Sequence, residues 1–327
     1  MMTHSENSKS SSTSNVETST TAETFATELE IKPRHMSFPF GEVKDKFFFG
    51  GNSLLTVFAG ALSSTFPPGE AEFIESVRNY RDQVKDEILL QQIKGFIGQE
   101  GHHSHQHKQA NIALSELGID AVRLEKHLER DIQKHIKRKS VTPKFRLAMT
   151  VGMEHLTAIM AEHILTTPEA LEPLNETVKE LLYWHAVEEI EHKAVAFDVY
   201  MLCENDQKYL RRVLRLVTVL FSVRIACYMV GLLFWARKMP SWKDVKGFWS
   251  FMFNKKTGLI SGIRSNYKDY FKEGFHPWDH ANQHLVDMWK EKLYRPEHDL
   301  GLQRAKAKAE KQAAETSNDI TAEGLPA

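Results

Sequence analysis

The sequence predicts an all-α protein, in which four long helices form a bundle, one short helix is inserted, and further helices follow at the C-terminal end. Long stretches repeat their apolar residues with the 3.6-residue period of a helix. The alternating runs of β-branched residues between turn signals that would indicate strands do not occur. A chain of 327 residues with 42% apolar residues can bury a full core, so we expect one large domain with tails.

Composition divides the chain into four parts. Residues 1–32 are rich in Ser and Thr and lack a periodic apolar pattern, which predicts a disordered tail. We expect the metal-binding helical bundle in residues 33–205, and an apolar and aromatic helical extension of the same domain in residues 206–298. Residues 299–327 are predicted to form a second, polar tail.

Helix start and stop signals place the elements of the bundle. The first long helix follows Pro67 and Pro68, since proline suits the first turn of a helix. Gly118 suits the left-handed position after a helix end, and Asp120 is a favourable N-cap. The other predicted ranges are 87–117 for the second long helix, 120–139 for the short helix, 142–165 for the third and 175–203 for the fourth.

Residues 213–236 are the most apolar stretch, and their length would span a bilayer. Arg215 and Arg224 argue against a simple span, because an arginine near the middle of a membrane helix costs about 2.5–3.5 kcal/mol on insertion scales. Two alternatives stay open. One is a buried fifth helix or a subunit contact, as in a homodimer; the other is insertion into a membrane or attachment to its surface.

The bulk composition excludes several classes of protein. A formal net charge of −1 gives no indication of nucleic-acid binding. Cys203 and Cys227 are the only cysteines, which points to a reducing compartment and excludes a cysteine-based zinc site. Because the N-terminus lacks the pattern of a secretory signal, we expect a cytoplasmic protein, or one attached to the inner membrane through residues 213–236.

Two Glu-x-x-His motifs carry the predicted chemistry. Glu100 and His103 lie in the second long helix, and Glu189 and His192 lie in the fourth. This spacing puts a carboxylate and an imidazole one turn apart on the same helix face, where a single metal ion can bind both.

One further carboxylate precedes each motif, Glu70 in the first long helix and Glu154 in the third. The resulting order is the pattern of the ferritin-like dinuclear carboxylate proteins, in which carboxylates bridge two iron or manganese ions and one histidine caps each ion. The sequence therefore predicts a ferritin-like bundle with two metal ions, with iron as the expected metal and manganese or zinc as alternatives.

His185 lies one turn before Glu189, so that it shares one helix stripe with Glu189 and His192. The spacing His-x3-Glu-x2-His resembles the fourth-helix motif of the dinuclear iron N-oxygenases, in which a third histidine joins the site. Two roles for His185 stay open: direct binding of a metal ion, and a hydrogen bond to a ligand carboxylate. Glu188 and Glu191 flank the stripe, and either could replace Glu189 if the helix were rotated.

Three segments resemble a bacterial family known as the predicted metal-dependent hydrolases: FPPGEAEFIESVRNYRDQVKDEILLQQIKGFIGQEGHHSHQH, WHAVEEIEHKAVAFDVY and FHPWDH. The likeness extends over about residues 33–294. It implies a hydrolytic activity and a metal site built from Glu70, Glu100, His103, Glu154, His185, Glu189 and His192. Gly101 stands where an alanine is usual in this family, which costs some helix propensity.

The predicted ligands leave three functions open. A helical cage of Glu and His favours O2-dependent oxidation of a small organic substrate, because oxygen-handling dimetal sites are built this way. The family resemblance favours hydrolysis by a metal-activated water. The third function is non-enzymatic metal binding or storage. The apolar and aromatic residues of the second half indicate a lipophilic small-molecule substrate.

Overall fold

The structure is a computed structural model, and it describes residues 30–294. Within that range the regular elements are helices, and the one β pairing is an isolated bridge between Phe49 and Leu174. The predicted all-α class is therefore confirmed. The α-helices are, in chain order, α1 (Ser53–Ser63), α2 (Phe66–Arg78), α3 (Glu87–Glu116), α4 (Ala121–Ile136), α5 (Pro143–Thr166), α6 (Glu176–His192), α7 (Val195–Cys203), α8 (Gln207–Trp235), α9 (Trp242–Phe253), α10 (Leu259–Asp269) and α11 (Gln283–Leu293).

The helices that carry the predicted ligands pack around one centre. Helix α2 packs on α3 and α5 packs on α6, and the two pairs contact each other through α2 with α5 and α3 with α6. The short helix α4 covers α2 and α3, and α11 packs on α6. Helix α8 lies along α5 and α1. The four ligand-bearing helices can therefore direct side chains into one shared interior.

The predicted helix boundaries between α3 and α5 are confirmed by their caps. Gly118 follows α3 with a φ of +85°, a conformation that glycine adopts without strain. The Asp120 carboxylate accepts a hydrogen bond from the Arg123 N–H, and the Thr142 hydroxyl accepts one from the Phe145 N–H. Local side-chain chemistry thus sets where α4 and α5 begin.

Two helical features differ from the sequence prediction. Helix α1 is missed, because its sequence SLLTVFAGALS is apolar or small at almost every position and so has no amphipathic period. Its start signal is Asn52, whose side chain accepts hydrogen bonds from two backbone N–H groups of the first turn. The fourth long helix, predicted as continuous, is divided into α6 and α7. The break falls at Lys193, whose buried ammonium donates to the His280 carbonyl and to the Asn282 side chain.

The chain before α1 packs directly on α3. A Cβ atom placed on Gly95 would lie 2.3 Å from the Ile31 carbonyl oxygen, and one placed on Gly98 would lie 2.3 Å from Cγ of Pro33. The glycines therefore leave the space that this segment occupies, and the segment brings Arg34 to the side of α6. Apart from residues 30–32, the two predicted tails lie outside the described residues.

Helix α8 contains the apolar stretch that the sequence singles out. It is long and apolar enough to cross a membrane, by length and composition alone, and only 22% of its most apolar window is buried. Both of its central arginines contact protein groups: Arg224 donates to Asp131 at 3.1 Å, and the Arg215 guanidinium lies over the ring of Phe271. One face of α8 packs on the bundle, while Leu216, Val219 and further apolar side chains on the other face are exposed.

The glycines of α3 provide a matched test of this packing. We expect Gly98→Ala to destabilise the protein by about 1–3 kcal/mol, because the new methyl group overlaps Pro33. Gly101→Ala, at an exposed position with no neighbouring atom within 4 Å, should stabilise it by about 0.5–1 kcal/mol. Urea denaturation of the two variants under identical metal conditions measures both changes, and equal midpoints would contradict the packing of residues 31–33 on α3.

Candidate metal centre

The structure brings the seven predicted ligands together in the interior of the helices. Each of them is at most 4% exposed. They come from four helices, with Glu70 on α2, Glu100 and His103 on α3, Glu154 on α5, and His185, Glu189 and His192 on α6.

The donor atoms of six of these residues fall into two compact groups, in each of which one atom per residue lies within 4.8 Å of the others. The first group consists of Glu100, His103, Glu189 and His192. The second consists of Glu70, His103 and His185. Glu154 contacts the first group, because its carboxylate lies 3.0 Å from Nδ1 of His192. The helices therefore supply two adjacent places for a cation.

Many donor atoms at this centre have no hydrogen-bond partner in the described part of the chain. Both carboxylate oxygens of Glu70 and of Glu100 are buried and unpaired. The same holds for Nδ1 of His103 and for Nε2 of His192. Burying polar groups without partners costs about 1–3 kcal/mol each, and more for charged groups. Metal ions would compensate this cost, so the residues present fit a metal site.

Burial sets the pKa values at the centre. It raises the pKa of Glu70 and of Glu100 well above the ordinary range, and the neighbouring carboxylates add to the rise. It lowers the pKa of His103 well below its usual value. For His192 burial also acts against the charged form, but the Glu154 carboxylate and its neighbours outweigh burial and raise the pKa to about 9. Bound cations would favour the ionised carboxylates and would replace the proton on His192.

Glu188 fixes the ring of His103. Its carboxylate lies 3.0 Å from Nε2 of His103 and also accepts a hydrogen bond from Arg34 at 3.0 Å. An Nε2–H that donates to Glu188 leaves Nδ1 of the same ring without a proton, and Nδ1 lies 3.8 Å from Glu189. Glu188 is therefore a partner of a predicted ligand, and Glu189 is the residue of this pair that faces the centre.

A second layer of charges surrounds Glu188, and sequence reasoning missed it. Arg34 donates two hydrogen bonds to Glu191, at 2.6 and 2.8 Å. Gln99 also donates to Glu191, and Lys290 forms an ion pair with it. Arg34 precedes Glu188 by 154 residues and Glu191 by 157 residues, so no helical spacing relates it to them. The sequence feature that could have indicated these charges is the pair of glutamates, Glu188 and Glu191, that flank Glu189.

His185 belongs to a chain of hydrogen bonds that runs away from the centre. Its Nδ1 lies 2.8 Å from Nε2 of His107, and Nδ1 of His107 lies 3.0 Å from the Ser63 hydroxyl. Ser63 donates to Asn111 Oδ1, and Asn111 donates to Glu125. Because the Ser63 hydroxyl donates its proton to Asn111, its oxygen accepts a hydrogen bond from Nδ1–H of His107. Nε2 of His107 then carries no proton and accepts a hydrogen bond from Nδ1–H of His185.

This chain directs the other nitrogen of His185 into the centre. Nε2 of His185 lies 2.8 Å from Glu189 and 3.7 Å from Glu70. With the Nδ1 proton donated to His107, a metal ion can replace the proton that Nε2 shares with Glu189. The structure shows a hydrogen-bond distance between His185 and Glu189 and also groups His185 with Glu70 and His103, so both roles that the sequence leaves open fit the geometry. His107, which lies one turn beyond His103 on α3, orients His185.

The remaining histidines of the ligand helices lie elsewhere. His155, next to Glu154 in sequence, packs against Tyr270 and Phe275, and burial lowers its pKa to about 3. His105 is exposed on the outer face of α3. Neither belongs to the two groups of donor atoms that contain His103, His185 and His192.

A large cavity adjoins the centre. Its volume is about 680 Å³, and its lining includes Glu70 and Glu189 together with Phe73, Met149 and Met153. A narrower cavity of about 90 Å³ reaches His185 from the other side. The centre is therefore buried but accessible to a ligand.

The contact between Glu188 and His103 predicts that Glu188 supports metal binding by orienting the His103 ring. Glu188→Ala should weaken metal binding by roughly 10–100-fold, because His103 loses the acceptor that orients its ring. Glu188→Gln keeps an acceptor and should retain more of the affinity. Anaerobic titration with Fe²⁺ against a competing chelator measures the difference. Glu176→Ala, an exposed change on the same helix, is the control, and an equal effect of the two alanine variants would contradict the role.

Comparison with known proteins agrees with the presence of a metal site. The model of a family described as predicted metal-dependent hydrolase matches residues 32–281, which is more than half of the 327-residue chain and contains all seven predicted ligands. The comparison with curated proteins found no match, and the comparison with solved structures found none either. On the strength of the family match, the chain belongs to the predicted metal-dependent hydrolase family.

Proposed function

We propose that the protein is a ferritin-like dinuclear metal enzyme, with two iron ions, that oxidises an apolar organic substrate with O2. The observation that carries the proposal is the set of four glutamates and three histidines, buried on four packed helices, in which six residues keep at least one donor atom without a hydrogen-bond partner among the described residues. A Glu from each of two helices and a Glu-x-x-His pair from each of the other two is the donor set of the ferritin-like dimetal proteins.

The donor atoms can be divided between two ions. Because one imidazole nitrogen binds one ion, assigning His103 to the ion beside Glu70 and His185 leaves the other group for the second ion. That group consists of Glu100, Glu189 and His192, with Glu154 beside it. Glu189 lies next to both groups, because its carboxylate is 2.8 Å from His185 and 3.9 Å from His192.

The cavity beside the ligands supports oxidation. Its lining includes the apolar side chains of Phe66, Phe73, Met149 and Met153. Oxidation of a C–H bond needs a dry, apolar wall, which these side chains supply.

Bound iron would supply the redox chemistry that reduces O2. In the proposed reaction a C–H bond of the substrate breaks and a C–O bond forms, one oxygen atom enters the product, and the other leaves as water. Two electrons and two protons balance this change, and the electrons come from an external donor of the flavoprotein or iron–sulfur class. The chain itself holds the carboxylates and imidazoles in place through Glu188, Arg34 and His107.

Hydrolysis is the second candidate, and the family description favours it. Two bound ions would then lower the pKa of a bridging water and polarise an ester, amide or phosphoryl oxygen. The same seven residues would hold the ions. Non-enzymatic storage has less support, since a cavity of about 680 Å³ reaches the ligands and provides room for a substrate.

Metal content and oxygen use separate these functions. Protein purified from iron-supplemented cells should contain about two iron ions per chain and, once reduced without air, should consume O2 on mixing. Zinc in place of iron, or reduced iron protein that leaves O2 untouched, contradicts oxidation. Zinc protein that cleaves a nitrophenyl ester supports hydrolysis instead.

Replacement of single histidines tests the site itself. His192→Ala should remove at least one metal ion per chain, because this imidazole contacts Glu100 and Glu154 at the centre. His105→Ala, on the exposed face of α3, is the matched control and should keep the full content. Elemental analysis of both variants after identical purification measures the effect, and full retention by His192→Ala would refute the site.

We further propose that α8 rests on a membrane surface. Its outward face exposes Val219, Val230 and Phe234, with exposed fractions of 61, 67 and 77%. Trp242 and Trp249 of α9 are 70 and 65% exposed, and basic residues lie beside them in the sequence. Exposed apolar side chains flanked by tryptophan and lysine are typical of an interfacial helix.

Vesicle binding tests this contact. Phe234→Glu combined with Val219→Glu should weaken binding to anionic phospholipid vesicles about tenfold or more, because two apolar side chains no longer leave water. Leu202→Glu, which changes an equally exposed leucine on α7, should leave binding unaltered. Co-sedimentation at several lipid concentrations measures the change, and a wild-type protein that stays in the supernatant would refute the contact.

A further inference from the structure

The cavity of about 680 Å³ connects the predicted metal ligands with the surface of α8. At one end it is lined by Glu70 and Glu189, which are 1 and 4% exposed. At the other end it is lined by Leu220 and Val223, which are 51 and 58% exposed. The cavity therefore runs from the buried centre to the exposed apolar face of the helix.

The wall between these ends is apolar and is built by α2, α4, α5 and α8. Its main members are Phe66, Phe73, Phe145, Met149, Met153, Val217 and Phe221. The hydroxyls that line it already have partners within the protein: Thr65 with the Leu62 carbonyl, Thr150 with Ser76, Thr157 with the Glu154 carbonyl, and Tyr228 with Arg224. A ligand in the cavity would meet mostly carbon and sulfur atoms.

The charged side chains of the lining, apart from the two predicted ligands, are paired with each other. Arg146 donates two hydrogen bonds to Glu72, and Arg224 donates one to Asp131. A charged ligand would have to displace one of these partners, which leaves the other charge uncompensated. The lining therefore selects an uncharged ligand.

The inner end of the cavity points to where the ligand reacts. Both oxygens of Glu70 are buried without a partner beside the cavity. The volume lies within the range of about 300–1,000 Å³ that is typical of small-molecule sites. The outer end includes the exposed apolar residues Leu220 and Val223 of α8, beside the paired charges of Arg224 and Asp131, so an apolar molecule can enter along an apolar side of the opening.

From these observations we infer that the cavity binds an uncharged molecule with a long apolar chain, whose reactive end lies at Glu70 and Glu189 and whose chain extends toward Leu220. That this molecule is the substrate rests on the proposed function, whereas its binding in the cavity is independent of that function. This assignment names the substrate class: a lipid-like alcohol, aldehyde, hydrocarbon or ester without a charged head group.

A homologous series of n-alkanols tests the binding. Each added CH2 group that enters an apolar cavity should tighten binding by about fourfold, so octan-1-ol should bind about fifteenfold more tightly than hexan-1-ol, and decan-1-ol should continue the trend. Isothermal titration calorimetry below the solubility limit of each alcohol gives the dissociation constants. Constants that do not change with chain length would overturn the inference.

Variants locate the binding. Met153→Trp fills the cavity and should weaken octan-1-ol binding at least tenfold; Val217→Phe is the second variant in case the first fails to fold. Leu216→Trp is the matched control, because it adds a comparable side chain on α8 at a 43% exposed position outside the lining. Unchanged binding in a folded cavity variant, or an equal loss in the control, would overturn the location.

The two proposals fail separately. Alkanol binding is measured on the full-length protein without O2, while the oxidation is measured by O2 consumption. If alkanol binding depends on chain length but the protein never consumes O2, the cavity assignment would stand and the oxidation would be refuted. If the protein consumes O2 but binds alkanols of every chain length equally, the oxidation would stand and the cavity assignment would be refuted.

Discussion

The burial of four carboxylates and three imidazoles in one interior is the constraint on which the rest of the structure depends. In water each of these groups would be solvated; here many of their atoms have no protein partner in the described range. Such a cluster is costly unless cations compensate it. The packing of α2 on α3 and of α5 on α6 makes the cluster possible, because each helix contributes ligands from one inward face.

The surrounding residues determine how the ligands face the centre. Glu188 accepts from His103, and His107 accepts from His185, so in each ring one nitrogen has a partner outside the centre and the other faces Glu189. Arg34 neutralises the glutamates behind the site, and the glycines of α3 admit the segment that carries it. Ligand geometry therefore depends on a chain segment far from the motifs in sequence.

Sequence reasoning located the centre better than its surroundings. Helical spacing alone brought out Glu100 with His103 and Glu189 with His192, because a three-residue interval has one geometric meaning on a helix. It could not find Arg34 or the Ser63 contact of His107, since these depend on tertiary packing between distant segments. It also missed α1, whose uniformly apolar sequence has no period. The break at Lys193 reflects contacts with residues 280–282, which no local pattern encodes.

The most direct test of the account is anomalous X-ray diffraction from crystals of the iron-loaded protein. Two iron peaks per chain, about 3.5–4 Å apart as in other two-metal sites, are expected among the carboxylates and imidazoles of α2, α3, α5 and α6. One ion should lie beside Glu70 and His185, and the other beside Glu154 and His192. A single peak, or peaks outside this cluster, would contradict the dinuclear centre.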